Sequence, residues 1–171
     1  MKFECSKAKL LEGINIVSKA ISTKSTRKIL ECILIDVEEG GFKLLANDLE
    51  MAIETKMIDC TTEETGRICL EAKLFTDIVR HLPNDTLTVK SDENFVTFIN
   101  SGKSKFKILG SSYEEFPSLP DIERDSKFTL NPDIFRNMIR QTIFSVSTDE
   151  SRLTLNGELM DIKRNFLLKQ V

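Results

Sequence analysis

The sequence predicts an α+β fold in which helices pack on mostly antiparallel sheets. Three observations lead to this prediction. The chain of 171 residues is 40% apolar and 30% charged, which suits a folded domain with its own core. Segments of helical and strand-like periodicity follow one another in the order strand, helix and three strands, and this order occurs twice. The chain also resembles itself at fixed offsets.

The internal repeat sets the expected domain organisation. A shift of 125 residues aligns Lys2-Phe3 with Lys127-Phe128 and continues without a gap. A shift of 64 residues, about half as long, aligns residues 5–14 with residues 69–78. We therefore expect a half-domain unit that is doubled and then repeated. The predicted parts are a first domain at 1–120 and, at 121–171, a linker with an incomplete second domain.

Each half-unit begins with a short strand that leads into an amphipathic helix. Ser6 is predicted to cap the first helix, and Pro83 is predicted to end the second. Asn131 is the expected cap of the third helix, with Pro132 in its first helical position. The predicted strands are 2–5, 67–70 and 127–130, and the predicted helices are 7–21, 72–82 and 132–146.

Further strands follow each helix and are separated by short turns that contain glycine. Gly40-Gly41 and Ser101-Gly102 are the clearest of these turns. Leu155-Asn156-Gly157 is interpreted as part of a strand after the third helix. The other predicted strands are 29–38, 42–47 and 50–59 in the first half-unit, and 86–91, 94–100 and 103–109 in the second.

Charge is divided unevenly between the predicted helices and the rest of the chain. The formal net charge is −3, yet the three helical segments together carry +3. Lys73 and Arg80 lie opposite the apolar stripe of the second helix, and Arg136 and Arg140 lie opposite that of the third. Helices on one side of the sheets would form a basic surface that contacts phosphates without reading sequence, with an acidic exterior. Ordinary solvated helix faces are the alternative. These faces carry no aromatic residue, so they predict no stacking on single-stranded bases.

The sequence contains no pattern that indicates a catalytic or cofactor site. A glycine-rich phosphate loop, a G-x-S-x-G motif and an H-E-x-x-H motif are all missing. Asp48 and Glu50 share one face of a predicted strand, but a solvated pair is favoured over a metal site. We therefore expect a non-catalytic protein without a cofactor. The cysteines form no C-x-x-C pair and are expected to be reduced core residues: Cys5, Cys32, Cys60 and Cys69.

The expected location is the cytoplasm. The longest apolar stretches are only a few residues, too short to span a membrane, and residues 1–4 show no apolar signal region.

Several short motifs are similar to those of one protein family. Residues 113–120 end in Phe-Pro-Ser-Leu-Pro, which matches the F-P-x-L-P pattern at the junction between that family's first two domains. Residues 47–51 read Asn-Asp-Leu-Glu-Met, and Leu155-Asn156-Gly157 follows Arg152 as in its R-x-x-L-N-G motif. Met1-Lys2-Phe3 and Ala72-Lys73-Leu74-Phe75 also match. Over its whole length the sequence resembles the bacterial sliding clamps, which are the beta subunits of DNA polymerase III.

The resemblance implies a clamp fold and a head-to-tail homodimer. Each subunit of this family holds three such domains, closes around duplex DNA and tethers the replicative polymerase as a processivity factor. The implied partners are double-stranded DNA, the DNA polymerase III alpha subunit, the clamp loader and other clamp-binding replication and repair proteins, with no role for a membrane. A protein-interaction module of the same fold that never contacts DNA is the alternative.

The resemblance also assigns roles to particular residues. Lys24, Lys73 and Arg80 fall where the family places basic side chains near DNA, and Arg136 and Arg140 join them from the third helix. Phe106 and Ile108 fall on the edge strand that meets the next subunit. Arg152 and Leu155 belong to the pocket for polymerase and clamp-loader peptides, which is expected to be incomplete because the chain lacks that pocket's next segment.

Two departures affect these expectations. Arg27-Lys28 replaces the family's apolar residue and proline, which adds charge near the expected DNA surface. The family's third domain is absent from this sequence. We expect residues 127–171 either to pack loosely or to be stabilised by a second copy.

Overall fold

The described part of the chain divides into two units. A computed structural model describes residues 1–22, 25–117, 129–149, 151 and 153–162. Contacts between residues separate a first unit, Met1–Pro120, from a second, Asp121–Val171. The two are treated separately below.

The described residues of the first unit form ten strands and two α-helices. Its first half consists of β1 (Lys2–Ser6), α1 (Lys7–Val17), β2 (Cys32–Glu38), β3 (Gly41–Asn47), β4 (Ala52–Glu54), β5 (Ile58–Asp59) and β6 (Thr61–Glu64). Its second half consists of β7 (Gly66–Glu71), α2 (Ala72–His81), β8 (Thr86–Ser91), β9 (Val96–Ser101) and β10 (Ser104–Leu109). Short 3-10 turns at Ser18–Ala20, Lys28–Glu31 and Tyr113–Glu115 connect or follow them.

All the strands pair antiparallel in two sheets. Sheet 1 has the order β10-β9-β8-β1-β6, and sheet 2 has the order β4-β3-β2-β7 with β5 also paired to β3. The inner faces of both sheets and the apolar faces of both helices meet in one core. The core contains Phe3 and Phe42, whose ring centroids are 5.0 Å apart. The α+β class predicted from the sequence is confirmed.

The two helices lie side by side, as the 64-residue repeat predicts. Helices α1 and α2 contact one another, and Leu10 and Phe75 are completely buried in the shared core. The start of α1 is also tied to the end of α2, because Lys7 Nζ donates to the Leu82 carbonyl oxygen at 2.6 Å. The backbone N–H of Lys7 donates to the Asp85 carbonyl oxygen at 2.7 Å. These bonds fix the relative position of the two exposed helix faces.

Two predicted strands of the first half-unit were wrong in detail, and a third strand was missed. The strand predicted at 29–38 begins only at Cys32, because Lys28–Glu31 forms a 3-10 turn. The strand predicted at 50–59 is interrupted, since Leu45 faces Glu54 while Phe42 faces Ile58, which leaves one extra residue between the two pairs. The prediction missed β6, a short polar edge strand that pairs with β1.

The second unit contains α3 (Pro132–Thr142), followed by 3-10 turns at Ile143–Ser145 and Leu153–Leu155. One predicted strand was wrong here, and another is described only in part. Thr129 and Leu130 are not in a strand, while residues 127 and 128 lie outside the described residues. Leu155 ends a 3-10 turn, and Asn156 and Gly157 follow in a bend. No residue whose exposure is described in this unit is buried, so the apolar side chains among these residues stay accessible to solvent.

The helix starts offer a matched test of local stability. Asn131 Oδ1 accepts hydrogen bonds from the backbone N–H groups of Asp133 and Ile134, at 2.9 and 3.3 Å. Ser6 occupies the same position before α1 but makes no side-chain cap bond. Asn131→Ala should therefore destabilise α3 by about 1 kcal/mol, whereas Ser6→Ala should cost less than about 0.5 kcal/mol. Amide hydrogen exchange in α3 and α1 measures both. Equal loss of protection in the two helices would contradict the conclusion that Asn131 caps its helix and Ser6 does not.

Candidate nucleic-acid interface

The exposed face of α2 carries the clearest candidate site. Phe75, Ile78 and Val79 anchor the opposite face in the core, so Lys73 and Arg80 project into solvent. The Thr76 hydroxyl donates to the Ala72 carbonyl oxygen at 2.5 Å, and His81 Nδ1 donates to the Asp77 carbonyl oxygen at 2.7 Å. The Thr76 and His81 side chains therefore bond to the helix itself. Lys73 and Arg80 remain as the positive charges of this face that are available for binding. The α2 bounds agree closely with the prediction of 72–82.

Neither cation of this face is neutralised by an acidic side chain in the described structure. Lys73 and Arg80 are seven residues apart, which places them about 10 Å apart along the helix axis on one side. Asp77 lies between them on this side and reduces the local net charge to +1. Unpaired surface cations suit contact with a chain of phosphates. Arg80 also lies in the last helical turn, where the helix dipole favours a positive charge.

The exposed face of α1 is mixed in charge. Lys9 forms an exposed ion pair with Asp59 at 3.3 Å, and Glu12 is exposed beside it. Arg27 and Lys28 are exposed at the start of the Lys28–Glu31 3-10 turn before β2, without an acidic partner among the described residues. The departure from the family pattern thus places two cations at the surface. Lys24, the third predicted DNA-binding residue of this unit, lies outside the described residues.

The predicted cations of the second unit differ from one another. Arg136 Nη1 donates to Asp133 Oδ1 at 3.2 Å, an ion pair within the first turns of α3. Arg140 is exposed, and the described structure shows no carboxylate paired with it. Of the two, Arg140 is therefore the better candidate for a phosphate contact.

The two predicted subunit-interface residues lie on β10, the edge strand of sheet 1. Phe106 is 37% exposed, so its ring is available to a neighbouring molecule. Ile108 is only 8% exposed and belongs to the core, because it shares the inner side of the sheet with Thr97, its partner on β9. Ile108 therefore offers its backbone at the sheet edge, while its side chain packs inward.

Only one of the two predicted peptide-pocket residues lies within the described residues of the second unit. Arg152 lies outside them. Leu155 is 50% exposed, and its carbonyl oxygen accepts a hydrogen bond from the Ser147 N–H at 2.8 Å. Leu155 is thus available as one wall of a pocket.

Comparison with known proteins identifies the fold. The model of the family described as DNA polymerase III beta subunit, N-terminal domain, matches residues 1–120. The chain belongs to this family. The match covers the unit in which both helices and both sheets share one core.

Relatives of this clamp-family chain extend the similarity into the second unit. The beta sliding clamp of Bacillus subtilis is 35% identical over 176 residues, which cover 98% of this chain and 46% of the relative. A structure from Eubacterium rectale, described as a DNA polymerase III beta subunit, aligns with a TM-score of 0.83 and 49% identity over 88% of this chain and 41% of its own. The beta subunit from Streptococcus pyogenes aligns with a TM-score of 0.87 and 29% identity, over 92% and 43%. The chain therefore spans about half the length of these relatives.

The acidic motif shared with the clamp family has a structural role in this chain. Asp48 Oδ1 accepts from the backbone N–H groups of Glu50 and Met51, at 3.0 and 2.7 Å, and Asn47 Oδ1 accepts from Leu49 at 2.7 Å. These bonds hold Leu49 at a φ of 79° in the turn between β3 and β4. In the part of the chain that the structure describes, no group of His, Cys, Asp or Glu side chains is arranged to hold a metal ion. Helices long and apolar enough to cross a membrane are also missing from that part.

The cysteines of this clamp-family chain differ in their accessibility. Burial raises the pKa of Cys5 and of Cys69 to about 12, and that of Cys32 to about 11. Cys60 is only partly buried. Since the thiolate is the reactive form, a thiol reagent at pH 8 should modify Cys60 first and the other three only after unfolding. Mass spectrometry after limited alkylation checks this order. Rapid labelling of Cys69 in the folded protein would contradict it.

Proposed function

We propose that this chain is the N-terminal part of a sliding clamp. Such a clamp encircles duplex DNA and is the processivity factor that tethers a replicative polymerase to it. The family match over residues 1–120 carries the proposal. The exposed, unpaired cations Lys73 and Arg80 support it, because phosphate contacts of this kind give affinity without sequence preference. Such contacts let a protein move along the duplex.

The proposed action is mechanical and electrostatic, with no bond made or broken. Lys73 and Arg80 attract the phosphate backbone, and Lys24, Arg136 and Arg140 are proposed to add to this contact. Each contact is replaced by an equivalent one when the duplex advances, since every nucleotide offers the same phosphate. Ring closure, and not the strength of these contacts, is proposed to keep the protein on DNA.

The proposed partners follow from the clamp function. A second subunit joins at the β10 edge through Phe106 and the strand backbone beside Ile108. The polymerase III alpha subunit, the clamp loader and other clamp-binding proteins dock peptides in the pocket to which Arg152 and Leu155 contribute. These assignments rest on the family resemblance and on the exposure of Phe106 and Leu155.

A chimeric ring tests the function. Residues 1–120 replace the corresponding domain of the Bacillus subtilis clamp, and light scattering first establishes that the chimera assembles. The assembled ring should remain on closed circular duplex DNA and leave once the duplex is cut at one site. The parent Bacillus subtilis clamp, assayed in the same way, is the control. Equal loss from closed and cut DNA by an assembled ring would contradict the proposal and favour an interaction module that does not encircle DNA.

A further inference from the structure

The outward face of sheet 1 carries a basic surface that the helix pattern does not predict. The strand register aligns Lys2 with Lys90, Lys90 with Phe98, and Phe98 with Lys107. We call these four residues the Phe98 row. The neighbouring row places Asn100 between Thr88 and Lys105. These side chains point away from the core, because alternate residues of the same strands, such as Val89 and Ile99, are buried.

The cations around Phe98 are available for binding. Lys90, Lys105 and Lys107 are exposed, and none of them is paired with a carboxylate in the described ranges. By contrast, Lys2 at the other end of the row is held by Glu63 at 2.6 Å. The basic character is therefore concentrated on β8 to β10. This finding corrects the expectation of an acidic exterior for this half of the sheet.

Phe98 provides an apolar plane at the centre of these charges. Phe98 is 37% exposed, and Lys107 Nζ lies 5.9 Å from the centroid of its ring. The Lys107 side chain is long and rotatable, so it can turn from the ring toward a phosphate and leave the ring free for a flat group. Asn100 is the next outward residue on β9 and offers an amide that donates and accepts hydrogen bonds.

We propose that this face binds single-stranded nucleic acid. One base stacks on Phe98, Asn100 meets the edge of a neighbouring base, and Lys90 and Lys107 contact phosphates on either side. The strands that carry these two lysines are separated by β9 and thus by roughly 10 Å, a distance that their long side chains bridge to successive phosphates. An aromatic residue between cations is the combination by which sheet surfaces bind single strands.

The same residues distinguish a single strand from other polyanions. Bases of an intact duplex are stacked on each other and leave nothing to cover Phe98. An acidic peptide engages the lysines but has no flat group that requires an aromatic ring. The dependence of binding on Phe98 therefore separates the occupants. This site lies on the outward side of sheet 1, whereas the duplex contact proposed above uses the exposed faces of the helices.

The test is fluorescence anisotropy of a labelled oligodeoxythymidine with the whole chain at low salt. Phe98→Leu should weaken binding roughly tenfold, the loss of one stacked base, while Phe98→Tyr should preserve it. Lys90→Ala with Lys107→Ala should also weaken it and lower its salt dependence. Lys43→Ala with Lys56→Ala on the β3–β5 side of the domain is the matched control and should have little effect. Circular dichroism establishes that each variant is folded.

The outcomes are distinct. Weakening by Phe98→Leu with retention in Phe98→Tyr and in the Lys43/Lys56 control supports the proposal. The absence of oligonucleotide binding, equal binding by Phe98→Leu, or equal competition by polyglutamate would each overturn it, the last in favour of an acidic protein partner. The Lys73→Glu, Arg80→Glu variant should still bind the oligonucleotide. This proposal can therefore be tested even if the proposed duplex contact is wrong.

Discussion

Replacing Lys73 and Arg80 together by glutamate should weaken binding of this chain to duplex DNA roughly tenfold or more at low salt. Both side chains are exposed and unpaired among the described residues, so the substitutions remove two phosphate contacts and add two repulsive charges. The loss should be the same for duplexes of different sequence, because phosphates carry no base information. The slope of log affinity against log salt should fall by about two, one unit for each lost contact. Anisotropy of labelled duplexes across a salt series measures both quantities.

The control for this prediction has the same charge change elsewhere. Lys43 and Lys56 lie on the β3–β5 side of the first unit, and Lys43 already faces Glu38 at 3.6 Å. Replacing both by glutamate should keep duplex affinity within about twofold of that of the parent chain, a small loss that comes from the change in net charge. If both double variants lose affinity equally, the binding reflects total charge and not the α2 face. A loss that depends on base sequence would instead indicate groove reading.

The largest stability effect is expected from Phe3→Ala. Phe3 is completely buried and packs against Phe42 at the centre of the core that unites both sheets and both helices. Truncating a buried Phe costs about 3–5 kcal/mol, because transfer free energy and ring packing are lost and a cavity is left. The free energy of unfolding of domains of this size is only about 5–15 kcal/mol. The variant should therefore unfold at a much lower denaturant concentration than the parent chain. Urea unfolding followed by circular dichroism measures the change.

Phe106→Ala is the matched control for the core substitution. The same side chain is removed, but Phe106 is partly exposed at the edge of sheet 1. The free energy of unfolding should change by less than about 1 kcal/mol. Similar losses for the two variants would show that Phe106 belongs to the core and would weaken its proposed role at a subunit interface.

Elements with a strong local pattern could be predicted from the sequence almost to the residue. Helix α2 combines a regular apolar stripe with Pro83 just beyond its end, and Asn131 caps α3 as expected. Ser6 was misjudged because it belongs to β1 and pairs with Thr86, while Asp85 already accepts from the first N–H of α1. A cap residue is unnecessary where a neighbouring loop supplies the acceptor.

The remaining errors come from contacts between distant segments. The bulge between β4 and β5 depends on the register with β3, and β6 is a polar edge strand with no apolar alternation to predict it. The same limitation applies to the candidate sites. A helical wheel is enough to place Lys73 and Arg80 on one face, but the Phe98 row requires the register of four strands, and the burial of Ile108 requires the partner on β9.

The most direct test of the account is a titration of the isotope-labelled chain with a short duplex, followed by amide chemical shifts. The central claim is that duplex DNA meets the exposed helix faces of the first unit. Shifts should therefore change within Ala72–His81 and at the exposed residues of α1, and these changes should disappear in the Lys73→Glu, Arg80→Glu variant. The amides of β9 should respond to an oligodeoxythymidine and not to the duplex. Duplex-induced changes confined to the sheets, or no change along α2 at low salt, would contradict the claim.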